Sequence, residues 1–182
     1  MNNELQFGIQ TNGIKHTHLD PMPDIDHRFS MVKEAKVFDY VDKTPEQDEI
    51  ISFLKAKDKY QIPIKAGGWF YTVGEHKSLL KKNLLTAQNL GSTVHNTQIQ
   101  AINSDGNLVT NSEVRDVYLE AYDMGLKLGV TPCFEVHVNM WSEDFLRVTE
   151  VGNLVEEKGV EFNITLDHSH VIFKINNPKE QK

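Results

Sequence analysis

Short apolar runs alternate along the chain with longer segments in which apolar residues recur at helical spacing. The short runs predict six strands, at residues 6–10, 37–41, 62–69, 92–99, 130–138 and from 162 onwards. The segments between them predict helices at residues 29–35, 44–60, 75–90, 110–128 and 142–159. Such a strand–helix repeat is typical of a parallel sheet with helices packed outside it. No linker or change of composition interrupts it, so we expect residues 1–182 to form one domain.

Capping residues mark several of the predicted helix boundaries. Thr44, Thr110 and Ser142 stand at three helix starts, where a hydroxyl oxygen can accept a hydrogen bond from a free backbone N–H group. Gly91 and Gly129 directly follow two helices, where glycine readily adopts the left-handed conformation that ends a helix.

The repeat fits either an open doubly wound sheet or a (β/α)₈ barrel that lacks two units. Both folds place a ligand at the carboxyl ends of the strands. An open sheet collects its ligand at a single switch point, whereas polar residues here follow the fourth, fifth and sixth strands. A ring of strands explains this recurrence better. We therefore predict an incomplete parallel (β/α) barrel of the TIM type, with about six of its eight strands.

The fifth and sixth predicted strands carry candidate metal ligands. Because successive side chains of a strand face opposite ways, Cys133, Glu135 and His137 share the face opposite the apolar one. A free carboxylate is costly to bury in the apolar run around Glu135. Glu135 and Asp167 are therefore predicted to bind a divalent cation such as Mn²⁺ or Mg²⁺. The alternative is that both are solvated acids near loops.

Three histidines and a tryptophan are further candidates. His170 follows the sixth-strand carboxylate by three residues and is a candidate ligand or donor to a substrate hydroxyl, or else a loop-stabilising residue. His137 is expected to orient Glu135 and to line the substrate site rather than to bind the metal. His95 ends the fourth strand and is expected to point towards the barrel mouth that carries the metal ligands. A packed polar role for His95 has equal weight. Trp69 opens an aromatic run that either forms a wall for a sugar ring or packs under a loop.

His16 and His18, with Asp20 close behind, form a His-x-His pattern of the kind that metal-dependent amidohydrolases use. The pair lies beyond the first strand, so strand alternation does not bring both rings to one ion. A solvated loop is the favoured interpretation.

The composition narrows the kinds of partner. The net charge of −7 and the lack of a long basic run argue against nucleic acid. No apolar run approaches the length of a membrane span, and the first residues do not resemble a signal peptide. The single cysteine, Cys133, fits a reducing compartment, so a cytoplasmic protein is expected. A small carbohydrate-like ligand remains compatible with all of this.

At Phe134-Glu-Val-His137 and Leu166-Asp-His-Ser-His170 the chain resembles the xylose isomerase-like superfamily of TIM barrels, which holds sugar isomerases, epimerases and the endonuclease IV class. There a glutamate ends strand five and an Asp-x-x-His pattern ends strand six. The resemblance implies that Glu135, Asp167 and His170 bind Mn²⁺, Mg²⁺, Co²⁺ or Zn²⁺. It also implies that Glu135 and His170 are catalytic, with the glutamate moving a proton at a carbon beside a carbonyl that the metal polarises.

The chain departs from this family after its sixth strand. The histidine of strand seven and the glutamate of strand eight have no counterpart, and an intact barrel has about 250 residues. The chain alone is therefore expected to be a weak or inactive enzyme. Unpaired edges on the first and sixth strands favour a homo-oligomer.

Two other classes of function stay open. One is a metal-dependent hydrolase that uses His16 and His18 with Asp167 and His170, or an endonuclease IV-like enzyme, which the acidic charge disfavours. The other is a barrel that binds sugar without catalysis.

Overall fold

A computed structural model describes residues 5–11 and 23–170 of the chain. Its strands are β1 (Gly8–Gln10), β2 (Tyr40–Asp42), β3 (Ile64–Ala66), β4 (Gly68–Tyr71), β5 (Val94–Ile99), β6 (Thr131–Val136) and β7 (Ile164–Leu166). Its α-helices are α1 (Ile25–Ala35), α2 (Ile50–Tyr60), α3 (His76–Leu90), α4 (Asn111–Leu128) and α5 (Phe145–Glu156), and a 3₁₀ turn spans Trp141–Glu143. The predicted order of strands and helices is confirmed.

All neighbouring strands are parallel. They form a three-stranded sheet in the order β1–β2–β3 and a four-stranded sheet in the order β4–β5–β6–β7. Only Gly67 separates β3 from β4, and its carbonyl accepts a hydrogen bond from the backbone N–H of Asn96 at 2.7 Å. The two sheets therefore meet along one bent strand, and the chain presents six consecutive strand positions, as the repeat predicts.

The bend at Gly67 depends on a close approach of two backbones. A Cβ atom there would lie 2.5 Å from Thr44 Oγ1 and 2.7 Å from the backbone of Lys43. Only glycine leaves room for this contact. Thr44 is buried against the bend, which explains why it does not cap α2 as the sequence suggests: that helix begins later, with Glu49 as its N-cap.

Of the other predicted helix caps, three are confirmed and one is wrong. Thr110 forms the complete capping box with Glu113, and Gly91 and Gly129 end their helices in the left-handed conformation. The prediction for Ser142 is wrong. Asp144 caps α5, whereas Ser142 lies in the 3₁₀ turn and its hydroxyl is engaged by β6.

The apolar face of each strand packs against the helices. In β6, Phe134 and Val136 are buried while Cys133 and Glu135 face the barrel interior and are half-buried, as the alternation predicts. Two apolar clusters result. The larger joins β4–β6 to α3, α4 and α5, and the smaller joins β2 and β3 to α1, α2 and the last residue of α3, Leu90.

Strand β7 is the least covered strand of the second sheet. Ile164 and Leu166 share the helix-facing side of β7 but remain 46% and 47% exposed. The alternation of apolar and polar residues in this strand predicts that the side with Ile164 and Leu166 is buried. Within residues 5–11 and 23–170, none of the helices has the length and apolar character required to cross a bilayer.

Candidate metal centre

Glu135, His137 and His170 converge at the carboxyl ends of β6 and β7. Each offers one ligand atom, and these atoms all lie within 4.8 Å of one another. All three side chains are half-buried. Glu135 and His137 come from one strand end because residues two apart share a face, and His170 follows the neighbouring strand. Parallel strands thus bring a carboxylate and two imidazoles together at one edge of the sheet.

Ser142 fixes the strand end that carries two of these residues. Its hydroxyl donates to the backbone carbonyl of Glu135 at 2.6 Å and accepts from the backbone N–H of His137 at 3.1 Å. The side chain is 2% exposed. A single hydroxyl therefore satisfies both polar groups of the chain where it leaves the sheet, and it keeps Glu135 and His137 in a strand-like relation.

The ring of His137 is oriented by its own turn. Its Nδ1 lies 2.7 Å from the carbonyl oxygen of Val138 and must donate to it, since a carbonyl can only accept. This tautomer leaves Nε2 as the lone-pair nitrogen, which is the form that binds a metal. The sequence favoured an orienting role for His137, whereas the structure places its ring beside that of His170, with 3.8 Å between the centroids.

Glu135 is held by Gln98, a residue that no sequence pattern identifies. Gln98 of β5 donates its amide N–H to Glu135 Oε2 at 2.6 Å. A second acid, Asp42 at the end of β2, also lies in the interior. Burial raises the pKa of Asp42, and the charge of Glu135 raises it further. Strand alternation alone does not identify either residue, because it does not say which strands face each other.

Asp167 stands beside the cluster rather than in it. Its Oδ1 accepts hydrogen bonds from the backbone N–H and the hydroxyl of Ser169, at 2.8 and 2.6 Å, and its Oδ2 lies 3.5 Å from Nε2 of His170. Burial acts to raise the pKa of Asp167, but the hydrogen bonds from Ser169 and the nearby His170 outweigh it, so the pKa lies below its usual value. In this arrangement Asp167 orients His170.

Two predicted substrate contacts lie on the wrong side of the sheet. His95 is fully buried on the helix-facing side of β5, where its Nε2 lies 2.7 Å from the hydroxyl of Tyr71, so it does not point towards the mouth. Burial lowers the pKa of His95 to about 4. Trp69 also packs against the helix-side core. Phe70 is the member of the aromatic run that faces the site, with its ring centroid 6.2 Å from that of His137.

His16, His18 and Asp20 lie outside the described residues, so the hydrolase pattern that they form stays a prediction.

The donor set fits a divalent cation. One carboxylate and two imidazoles are ligands that suit Zn²⁺, Co²⁺ or Mn²⁺. At ligand distances of about 2.1 Å, two donors on one ion are at most about 4.2 Å apart. The ligand atoms of the cluster lie up to 4.8 Å apart, so they must approach one another by a few tenths of an ångström to bind one ion. Rotation of the side chains supplies this movement.

No protein-family model and no curated protein sequence matches the chain. Solved structures do. A D-allulose 3-epimerase from Methylomonas sp., in complex with D-allulose, matches at a TM-score of 0.71 and 12% identity over 93% of this chain and 65% of its own. A probable 3-DHS dehydratase of petrobactin synthesis from Bacillus anthracis matches at 0.70 and 10%, over 93% and 65%. A xylose isomerase domain-containing protein from Salmonella typhimurium matches at 0.68 and 15%, over 91% and 61%.

These likenesses establish the fold. The chain is a parallel (β/α) barrel described over six strand positions. It spans 61–65% of the length of those three proteins. The IolI protein, solved with a bound zinc atom, has the same fold at a TM-score of 0.60 and 15% identity, over 84% of this chain and 59% of its own.

Proposed function

We propose that this chain acts as a metal-assisted sugar or sugar-phosphate isomerase or epimerase. The observation that carries the proposal is the convergence of Glu135, His137 and His170 at the carboxyl ends of adjacent strands. Structural neighbours that include a D-allulose 3-epimerase and a xylose isomerase domain support the same class of chemistry.

Glu135 is the proposed acid/base residue. Its carboxylate removes a proton from the carbon beside a sugar carbonyl. In isomerisation it returns the proton to the neighbouring carbon, whereas epimerisation requires a second acid on the opposite face of the sugar. The hydrogen bond from Gln98 Nε2 to Oε2 holds one oxygen in place. That bond leaves Oε1 of Glu135 to meet the substrate.

The two imidazoles and Glu135 would hold the metal. When bound, a divalent cation there polarises the substrate carbonyl and stabilises the negative charge that develops on its oxygen. Asp167 keeps His170 oriented through the 3.5 Å contact with Nε2. Phe70 offers an apolar surface beside His137 against which the carbon face of a sugar can lie.

We further propose that turnover by this chain alone is low. The cluster lies at the edge of the described sheet, where β7 has no neighbour on its outer side, so the cation would be open to solvent on that side. A site that is poorly enclosed also leaves its substrate exposed to water, which weakens the electrostatic interactions that lower the barrier.

Proton exchange tests the proposal more sensitively than product formation. D-allulose and D-fructose are incubated with the chain and Mn²⁺ in D₂O, and loss of the C3 proton signal is followed by NMR. We expect slow exchange that falls about tenfold or more in Glu135→Gln. Glu157→Gln, an exposed acid at the end of α5, is the matched control and should exchange like the unaltered chain.

Two results would overturn the proposal. Equal exchange rates for the unaltered chain and Glu135→Gln would show that Glu135 is not the acid/base residue. Absence of any Mn²⁺ or Zn²⁺ binding in a calorimetric titration would instead favour a sugar-binding barrel without catalysis. Turnover equal to that of a complete epimerase would contradict only the proposal of low activity.

A further inference from the structure

The barrel interior contains a cavity on the amino-terminal side of the Glu135 cluster. It has a volume of about 510 Å³. It is lined by residues of β2, β3, β5 and β7 and of the segments just before β1 and β5: Gln6, Tyr40, Asp42, Lys65, Ala66, Thr93, Val94, Asn96 and Thr165. TIM-barrel interiors are usually filled by bulky apolar side chains. The polar lining here therefore requires a different explanation.

Lys65 is the cation of this cavity. Its ammonium group donates to Gln6 Oε1 and lies 5.9 Å from the centre of the Tyr40 ring. In the described part of the chain, no carboxylate lies within ion-pair distance of Lys65. Two of its three N–H groups thus remain available to a ligand.

Asn96 presents a donor to the same space. Its carbonyl oxygen accepts the hydroxyl of Thr165 at 2.5 Å, which fixes the orientation of the amide. The amide NH₂ group is therefore the part of Asn96 that remains available. Gly68 allows this placement, because a Cβ there would lie 3.0 Å from Asn96 Cβ and 3.1 Å from the backbone carbonyl oxygen of Asn96.

Tyr40 supplies a third donor. Burial raises the pKa of its phenol, and the charges of Asp42 and Asp39 raise it further, so the hydroxyl keeps its proton. Its ring occupies the space above Gly8, where a Cβ would lie 2.2 Å from a ring carbon. Glycine at that position is what admits the tyrosine to the interior.

Asp42 is the one acidic residue of the lining, and it lies at the end nearest the metal centre. Its pKa responds to the charge of Glu135, and it receives a hydrogen bond from Gln10 rather than an ion pair from Lys65. The cavity therefore has a donor-rich end at Lys65, Asn96 and Tyr40 and an acidic end towards Glu135.

We propose that the cavity around Lys65 binds a small anion, through a carboxylate or phosphate group held by Lys65, Asn96 and Tyr40. Charge-assisted hydrogen bonds from an ammonium group to such oxygens are the strong interactions of this kind. The site does not require the metal centre and is tested without a metal. The whole chain carries a net charge of −7, so it does not attract anions by its overall field.

Calorimetric titration of the metal-free chain with inorganic phosphate and with D-gluconate tests this site. We expect saturable binding of at least one of them, weakened about tenfold or more in Lys65→Met. Asn96→Asp keeps an acceptor for Thr165 but places a negative charge in the cavity, and should abolish binding. Lys55→Met, which removes an exposed lysine of α2, is the control and should bind normally.

The comparison of the two probes identifies the ligand. Stronger binding of gluconate assigns the site to a polyhydroxylated acid, and stronger binding of phosphate assigns it to a phosphate group. Equal binding by all variants would place the anions on the outer surface and overturn the proposal, as would the absence of saturable binding to the unaltered chain. Circular dichroism confirms folding of each variant, and either Lys65→Met or Asn96→Asp alone suffices if the other fails to fold.

Discussion

The imidazole rings of His137 and His170 lie 3.8 Å apart, centroid to centroid, although they come from the ends of different strands. A nitrogen of each ring also lies within 4.8 Å of the carboxylate of Glu135, so a single ion between the strand ends can contact both rings and the carboxylate.

Removing either ring should weaken metal binding. We expect His137→Ala and His170→Ala each to reduce Co²⁺ affinity about tenfold or more, followed by the visible absorption of the bound ion. His27→Ala removes an exposed histidine of α1 and should leave the affinity unchanged. If both single variants bound Co²⁺ as tightly as the unaltered chain, the cluster would not be a metal site.

Loss of the Ser142 hydroxyl should affect both stability and metal binding. Ser142→Ala leaves the backbone groups of Glu135 and His137 without their partner at a buried position. We expect the free energy of unfolding to fall by about 1–3 kcal/mol in urea denaturation. We also expect weaker Co²⁺ binding, because the strand end that carries two donors is freed. Ser52→Ala, at an exposed serine of α2, should change stability by less than about 0.5 kcal/mol.

His95 should make stability depend on pH. Burial lowers its folded-state pKa to about 4 from an ordinary value of 6.5. The unfolded chain therefore gains a proton first as the pH falls, and stability is lost between about pH 6.5 and 4, by up to about 3 kcal/mol. Urea denaturation at several pH values should show this slope, and His95→Gln should flatten it. A slope that persisted in His95→Gln but disappeared in His27→Gln would show that His95 does not cause it.

Two helix glycines should differ in their tolerance of alanine. A Cβ on Gly125 of α4 would lie 2.2 Å from the carbonyl oxygen of Val130, whereas a Cβ on Gly152 of α5 would lie 3.1 Å from a ring carbon of Phe162. The backbone at Val130 cannot move without shifting β6, but the ring can adjust. We expect Gly125→Ala to destabilise the chain by about 1–3 kcal/mol and Gly152→Ala by clearly less, as measured by urea denaturation. The reverse order would contradict this packing.

Sequence periodicity predicted the fold better than it predicted the site. The six strand positions, their parallel order and the two faces of β6 follow from patterns that alternate clearly between apolar and polar residues. The pattern is ambiguous in β5, where His95 and Thr97 on the core side are as polar as Asn96 and Gln98 on the interior side. For that reason the alternation of β5 does not decide between the two roles of His95, and the structure selects the packed polar one.

Residues that act through contacts distant in sequence were not predictable. Gln98 reaches Glu135 from a neighbouring strand, and Ser142 resembles a helix cap while its hydroxyl serves β6. Trp69 and Phe70 are both aromatic, so composition alone does not say which of the two faces the interior. The alternation of side chains along β4 decides which of the two faces the interior.

The bent strand at Gly67 has a consequence for folding. The smaller apolar cluster lies on one side of the bend and the larger on the other, and the two sheets share no strand apart from this one. Each half is thus a candidate cooperative unit with its own opening free energy, as hydrogen exchange can resolve. The amide of Asn96, which donates to Gly67, and the amide of Lys43, which donates to Ala66, straddle the junction. Their exchange rates report whether one half can open while the other remains folded.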